Sequence, residues 1–290
     1  MLVNLAQVVT GGLLLGGIYA LAAFGLSLSL GVLNVLNVAH GDFLMLGALV
    51  SYWVFVLFNI NPFIAVIIVM PIFFGAGVAF QRVLVKPIAA KPPHELLIGS
   101  ILVTLGASLA LEDSTAFVWG TEIKGIGYSL PSFRLGGLIV PSVRLAILVF
   151  IALLTLAVHL YLKRTFSGRA VRAITQEREG AMIVGVNIPF VAMMAFGLGT
   201  SLAAAAGAFY ATLFTIFPFI GIPLTLKYLV IVILGGLGSV GGTLAGGVIL
   251  GTAETLTAFY LGPDWAPAVS FIILIVILIL RPEGLFGHRA

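Results

Sequence analysis

The chain has 290 residues, of which 61% are hydrophobic and only 8% charged, with a mean hydropathy of +1.24. Soluble domains carry charge on about a quarter of their residues, so this balance excludes water as the main solvent, and no stretch is polar enough to form a soluble domain. The formal charge of +4 comes from 14 Lys and Arg scattered through connectors without an aromatic-studded basic stripe, which argues against nucleic-acid binding; the absence of cysteine excludes disulfides and thiolate metal sites.

A spanning helix needs about 20 mostly apolar residues, because no backbone polar group can go unsatisfied in hydrocarbon. By that measure the chain is an all-α, polytopic transmembrane bundle in a single domain, 1–290. Spans are predicted near 5–30, 42–58, 62–82, 96–117, 143–162, 188–213, 224–238, 243–260 and 267–280, which makes eight or nine. No Lys or Arg precedes the first, and its apolar run is too long for a cleavable signal peptide, so it is expected to remain in place. Between the first two spans, residues 31–42 break the hydrophobic pattern with Asn34, Asn37, His40 and Asp42. A second break, from Gly235 to Gly242, contains Gly238 and Ser239. Interrupted helices in matching halves of a membrane protein often line a substrate path, since unwound backbone is tolerated at depth only where protein or water satisfies it.

Short connectors rich in Lys and Arg stay cytoplasmic. Arg82, Lys86, Lys91, Lys163, Arg164, Arg169, Arg172, Arg178, Arg281 and Arg289 fall in one set of connectors; Lys124, Arg134, Arg144 and Lys227 fall in the other. Placing the richer set inside puts the N-terminus outside and the C-terminus inside, which needs an odd number of spans and favours nine.

Ionisable residues inside spans are costly and are functional suspects. Glu112, Asp113, His159 and Lys227 fall near predicted span ends, where solvated or snorkelling side chains account for them. Glu254 sits well within its span between Thr252 and Thr255, and both a structural hydrogen-bond role and a path-lining role fit it.

Several chemistries are missing. No Lys follows a Gly, so the phosphate-cradling P-loop is absent, no catalytic residues are assigned, and the chain is not expected to hydrolyse ATP by that route. His94 and Glu95 would need a histidine where Ile98 stands to form a zinc-protease helix. Gly236, Gly238 and Gly241 spell G-x-G-x-x-G, but a dinucleotide site needs a βαβ unit and an acidic residue about 20 positions on. The glycines at 238, 242 and 246, at 247 and 251, and at 12 and 16 recur every four residues instead, the spacing that lets helix backbones approach. No cofactor or metal is expected in this chain.

The connector from Lys163 to Pro189 is amphipathic: Arg169, Arg172 and Glu177 are polar, Val171, Ile174 and Ala181 are apolar, and Gly185 allows a close turn. A short helix here could dock in a partner's groove or lie against lipid headgroups.

Four segments are together more specific than any of these features: Leu36-Asn-Val-Ala-His-Gly-Asp-Phe-Leu-Met-Leu-Gly-Ala48, Gly168-Arg-Ala-Val-Arg-Ala173 with Gly185-Val-Asn187, Gly235-Gly-Leu-Gly-Ser239 and Arg281-Pro-Glu-Gly-Leu-Phe-Gly287. In content and order they resemble the motifs of LivH-type permease subunits of branched-chain amino acid ABC importers, across essentially the whole chain. Val38 stands where that family usually has an aromatic residue. The resemblance implies an inner-membrane permease that pairs with a second homologous permease, two ATP-binding cassette ATPases and a periplasmic solute-binding protein, with ATP used by the partners. It also implies that Gly168, Arg169, Arg172, Ala173, Glu177, Ala181, Gly185 and Asn187 form the coupling element. Asn37, His40, Asp42, Gly238, Ser239 and Glu254 are the candidate path residues. Importers of urea or short-chain amides use similar permeases, and a stand-alone secondary transporter or a channel are the rival classes.

Overall fold

The computed structural model describes residues 2–89, 91–135, 138–281 and 283–286. The helices are α1 (Leu2–Leu33), α2 (His40–Phe58), α3 (Pro62–Phe80), α4 (Pro93–Trp119), α5 (Ser142–Arg164), α6 (Phe166–Gln176), α7 (Arg178–Ile183), α8 (Ile188–Leu213), α9 (Gly221–Gly235), α10 (Val240–Tyr260) and α11 (Ala266–Leu280). A short antiparallel hairpin, β1 (Phe133–Leu135) and β2 (Leu138–Val140), lies between α4 and α5, with Phe133 opposite Val140. Among the described residues, seven segments are long and apolar enough to cross a membrane, so the chain is a multi-pass helical membrane bundle. The expected spans 224–238 and 243–260 become α9, which at 15 residues is shorter than a full span, and the Gly- and Thr-rich α10. The expectation of eight or nine spans thus stands at seven long apolar helices and this closely packed pair.

Local chemistry sets the helix ends. Asn61 precedes the helix-starting Pro62 and its side chain accepts from Phe63 N at 2.9 Å; Asn187 does the same for α8, accepting from Phe190 N at 3.1 Å. α1 has no charged residue and runs until Asn34, whose φ of 52° is left-handed and ends it.

Small residues set the packing, as their four-residue spacing predicts. A side chain at Gly12 or Gly16 would strike the backbone of Thr252 or Val248, and one at Gly247 would strike Ala20, so α1 and α10 meet backbone to backbone. Gly242 lies against Gly235 and Gly246 against Ile231, which closes α10 onto α9. α2 and α8 cross where Gly47 meets Ala204 and Gly207 meets Leu44. Gly207→Val is expected to lower the detergent melting temperature through overpacking worth about 1–3 kcal/mol, because its new carbons would occupy the Leu44 carbonyl. Gly106→Ala, with nothing within 4 Å, is expected to leave it unchanged or slightly raised.

The bundle has two distinguishable ends. At one, Gly31 of α1 lies against Gly238 and Thr175. There Leu285 N donates to Leu234 O at 2.8 Å and Phe286 N to Gly235 O at 3.3 Å. The Arg281–Gly287 motif therefore satisfies carbonyls that the last turn of α9 would leave orphaned, although Pro282 and Gly287 fall outside the described residues, as does Arg289. At the other end Lys124 and Ile216 exchange backbone hydrogen bonds of 2.9 and 2.8 Å, and Asn61 Nδ2 donates to Tyr128 OH at 2.8 Å.

Candidate functional site

The first interruption doubles back. His40 Nε2 lies 2.9 Å from Ala22 O, well before the end of α1, so residues 34–39 return alongside α1 and α2 begins inside the bundle. Backbone unwound at that depth needs partners, and side-chain hydroxyls of two other helices supply them. Leu36 N donates to Ser100 Oγ at 3.3 Å and Val38 N to Thr104 Oγ1 at 3.0 Å, both on α4. From α9, Thr225 Oγ1 lies 2.7 Å from Val38 O and accepts from Gly41 N at 2.7 Å. Gly41 is required here, since a Cβ would collide with Gly221 O and Thr225 Oγ1.

The candidate path residues divide into two groups. Asn37, His40 and Asp42 are each at most 1% exposed and are built into this joint. His40 packs edge-on against Tyr228, ring centroids 6.3 Å apart, and Asp42 accepts from Ser108 Oγ. Neither side-chain amide atom of Asn37 has a hydrogen-bond partner among the described residues, an unsatisfied buried group of the kind found where water or a ligand enters. Gly238 and Glu254, by contrast, border cavities. Gly238 lines one of about 380 Å³ with Gly31, His159, Lys163, Arg172 and Thr175. Its φ of 76° and that of Gly236, 94°, make the tight turn between α9 and α10, and Ser239 then caps α10 by accepting from Gly242 N at 3.1 Å.

Glu254 borders a cavity of about 420 Å³ together with Tyr19, Lys227, Arg144 and Phe214. Its Oε1 lies 3.0 Å from Lys227 Nζ and accepts from Ser270 Oγ; its Oε2 lies 3.1 Å from the same Nζ and accepts from Tyr19 OH at 3.0 Å. Lys227 Nζ also donates to Tyr19 OH at 3.0 Å and stands 4.8 Å over that ring. Two expectations are corrected here. Lys227 does not snorkel to a solvated end but neutralises Glu254, which the two residues, 27 positions apart on neighbouring helices, give no local sign of. Glu112 is likewise not solvated: it is 5% exposed and accepts from Ile222 N at 3.3 Å, at the start of α9.

The connector after α5 forms two helices rather than the one short helix expected, because Glu177 takes an extended conformation between them. Thr165 caps α6 by accepting from Gly168 N at 3.0 Å, and Glu177 caps α7 by accepting from Glu179 N at 3.2 Å. Gly168 must be glycine because Leu162 fills the space a Cβ would need. Val171 and Ile174 bury the apolar face of α6, while Arg169, Arg172 and Glu177 stay exposed and Ala173 is half-buried. α7 buries Ala181 and ends at Ile183, and Gly185, with a φ of 84°, then turns the chain toward Asn187 and α8. Between them Met182, Ile183 and Val184 project into the open, Ile183 at 85% exposure. This apolar tip was not singled out in the sequence, and the signal that could have found it is three large apolar residues directly before a turn glycine in an otherwise polar connector.

A family model described as branched-chain amino acid transport system / permease component matches residues 8–278. The high-affinity branched-chain amino acid transport system permease protein LivH of Salmonella typhimurium is 30% identical, with 97% of this chain and 95% of that protein covered. Its Escherichia coli K12 namesake is 29% identical and the BraD permease protein of Pseudomonas aeruginosa 28%, each over 97% of this chain and 95% of the relative. Among solved structures, PsaBC from Streptococcus pneumoniae in complex with Fab superposes with a TM-score of 0.51 over 95% of this chain and 92% of that one, at 10% identity, a likeness of fold alone. With a family model spanning nearly its whole length and relatives matched end to end, this chain belongs to the branched-chain amino acid transport system permease component family.

Proposed function

We propose that this chain is the permease subunit of an ATP-driven importer for branched-chain or related hydrophobic amino acids in the bacterial inner membrane. It forms the translocation path with a second, homologous permease, receives substrate from a periplasmic binding protein and takes its energy from two ATP-binding cassette ATPases. The observation that carries this reading is the α6–α7 element: an amphipathic helix anchored by Val171 and Ile174, followed by an exposed apolar tip, in a chain with no P-loop of its own. ATP bound on a partner that grips this tip biases one of two packings of the spans. The N-terminus is periplasmic and the C-terminus cytoplasmic, supported by the clustering of the basic connectors near α6 and the C-terminal segment.

The test is uptake of labelled leucine into proteoliposomes holding the complete importer. The reading expects uptake that requires ATP and the binding protein and is competed by valine and isoleucine. Competition by urea or short-chain amides instead would assign the substrate to those solutes, and uptake driven by an ion gradient without ATP would end the importer reading. Within this assay Gly185→Leu is expected to uncouple ATP hydrolysis from transport while leaving membrane insertion intact. Nothing lies within 4 Å of Gly185, so the effect comes from its positive φ, which costs a side chain about 1–2 kcal/mol. Gly185→Asn, which tolerates that conformation, is expected to keep most of the coupling.

A further inference from the structure

α9 begins without a cap of its own: Ile220, before its first turn, offers no side-chain acceptor, and that turn contains no acidic residue. The start of α9 is nevertheless enclosed. A Cβ at Gly221 would strike the Asp42 carboxyl and backbone, so the first turns of α2 and α9 touch, and Glu112 of α4 reaches in to accept from Ile222 N at 3.3 Å. The Asp42 and Glu112 carboxyls therefore meet at adjacent residues, Gly221 and Ile222, of the first turn of α9. Asp42 Oδ2 is taken by Ser108 Oγ, whereas Oδ1, fully buried, has no donor.

Two ionised carboxylates are acceptors only, so they cannot bond to each other. Among the described residues, no cationic side chain compensates their charge. None of the described ion pairs includes either group. His40, two residues before Asp42, has Nε2 on Ala22 O of α1; Lys227 of α9 is held by Glu254 of α10; Thr225 and Tyr228, also on α9, are neutral. The remaining neighbour, Asp113 beside Glu112 on α4, adds negative charge. A metal cation fits poorly, because the N–H groups of α9 present the positive end of a helix dipole here, and no three His, Cys, Asp or Glu among the described residues group to hold one.

We infer that Asp42 and Glu112 form a proton-binding site: one proton is shared between them, held on Asp42 Oδ1 and donated to Glu112, whose ionised carboxylate caps α9. Every polar atom of the cluster then has a partner. The proton ties the three elements that meet at the first interruption, α2, α4 and α9, and its loss sets two negative charges face to face inside the bundle.

The test is infrared difference spectroscopy on the purified complex at neutral pH, which reads the C=O stretch of a protonated carboxyl and needs no transport activity, so its failure is separable from failure of the transport reading. The wild-type protein is expected to show this band. Asp42→Asn and Glu112→Gln are each expected to abolish it, since either amide replaces the shared proton as donor and leaves the other carboxyl ionised. Survival of the band in Glu112→Gln would mean that burial alone protonates Asp42 and would overturn the sharing. Absence of any wild-type band that Asp42→Asn removes, or binding of sodium or another cation in its place, would overturn the site. Should either variant not assemble, a wild-type band that titrates away as one proton on raising pH upholds the inference, and a band independent of pH contradicts it.

Discussion

Glu254→Ala is expected to produce the largest single loss of stability in this chain. The substitution removes all four contacts of the carboxylate at once and leaves Lys227 Nζ with only Tyr19, its hydroxyl at 3.0 Å and its ring centroid at 4.8 Å, among its present partners. Breaking a buried pair by deleting one member costs roughly 3–5 kcal/mol, because an uncompensated charge remains. A neutral interhelical hydrogen bond in a membrane bundle averages only about 0.6 kcal/mol, so the charge dominates the hydroxyls of Tyr19 and Ser270. The Lys227 side chain keeps 20% of its exposure, which places the expected loss toward the lower end of that range. Thermal unfolding in detergent measures it, and Lys227→Met combined with Glu254→Leu is expected to recover most of the loss by removing both charges. Uptake by this double variant then separates two roles. Restored transport makes the pair structural, whereas a stable but inactive protein places the carboxylate in the translocation path.

Ile183→Asp is expected to abolish ATP-driven uptake while leaving the permease folded. Ile183 is 85% exposed and Val184 76%, so a polar substitution disturbs no packing within this chain, and its effect on the melting temperature stays within about 0.5 kcal/mol. On the proposed reading, the same side chain fills a groove of the ATPase in the assembled importer. A buried apolar anchor of that kind contributes about 2 kcal/mol or more to an interface, equivalent to a roughly 30-fold weaker complex when lost. Desolvating a carboxylate adds to this. ATPase retained on membranes and leucine uptake are the two readouts. Normal uptake by Ile183→Asp would show that the tip lies free or among lipid headgroups and would remove it from the coupling mechanism.

The fold was readable because hydrocarbon imposes one rule on every span. Long apolar runs, prolines and asparagines at helix starts, and glycines every four residues are local signals, and α1, α3, α8 and the α1–α10 seam followed them. The interruption at residues 34–39 was also visible, since Asn34, Asn37 and His40 break an apolar run. What it does could not be read, because its satisfaction depends on Ser100, Thr104 and Thr225, which arrive from helices 64 to 187 residues away. Glu112 and Lys227 were misplaced for the same reason: distance from a span's end predicts solvation only when no partner waits inside, and the partners here, Ile222 and Glu254, are set by tertiary packing. The connector after α5 was legible in its amphipathic face but not in its break at Glu177, where a helix-compatible residue serves as a cap instead.

The most direct measurement of the central claim is purification of this chain from membranes in mild detergent, with mass spectrometry of whatever accompanies it. The account predicts two ATP-binding subunits and a second permease in stable association, with the ATP-binding subunits released when Ile183 is replaced by Asp. Recovery of the chain alone, or only with copies of itself, from membranes that still import leucine would contradict it.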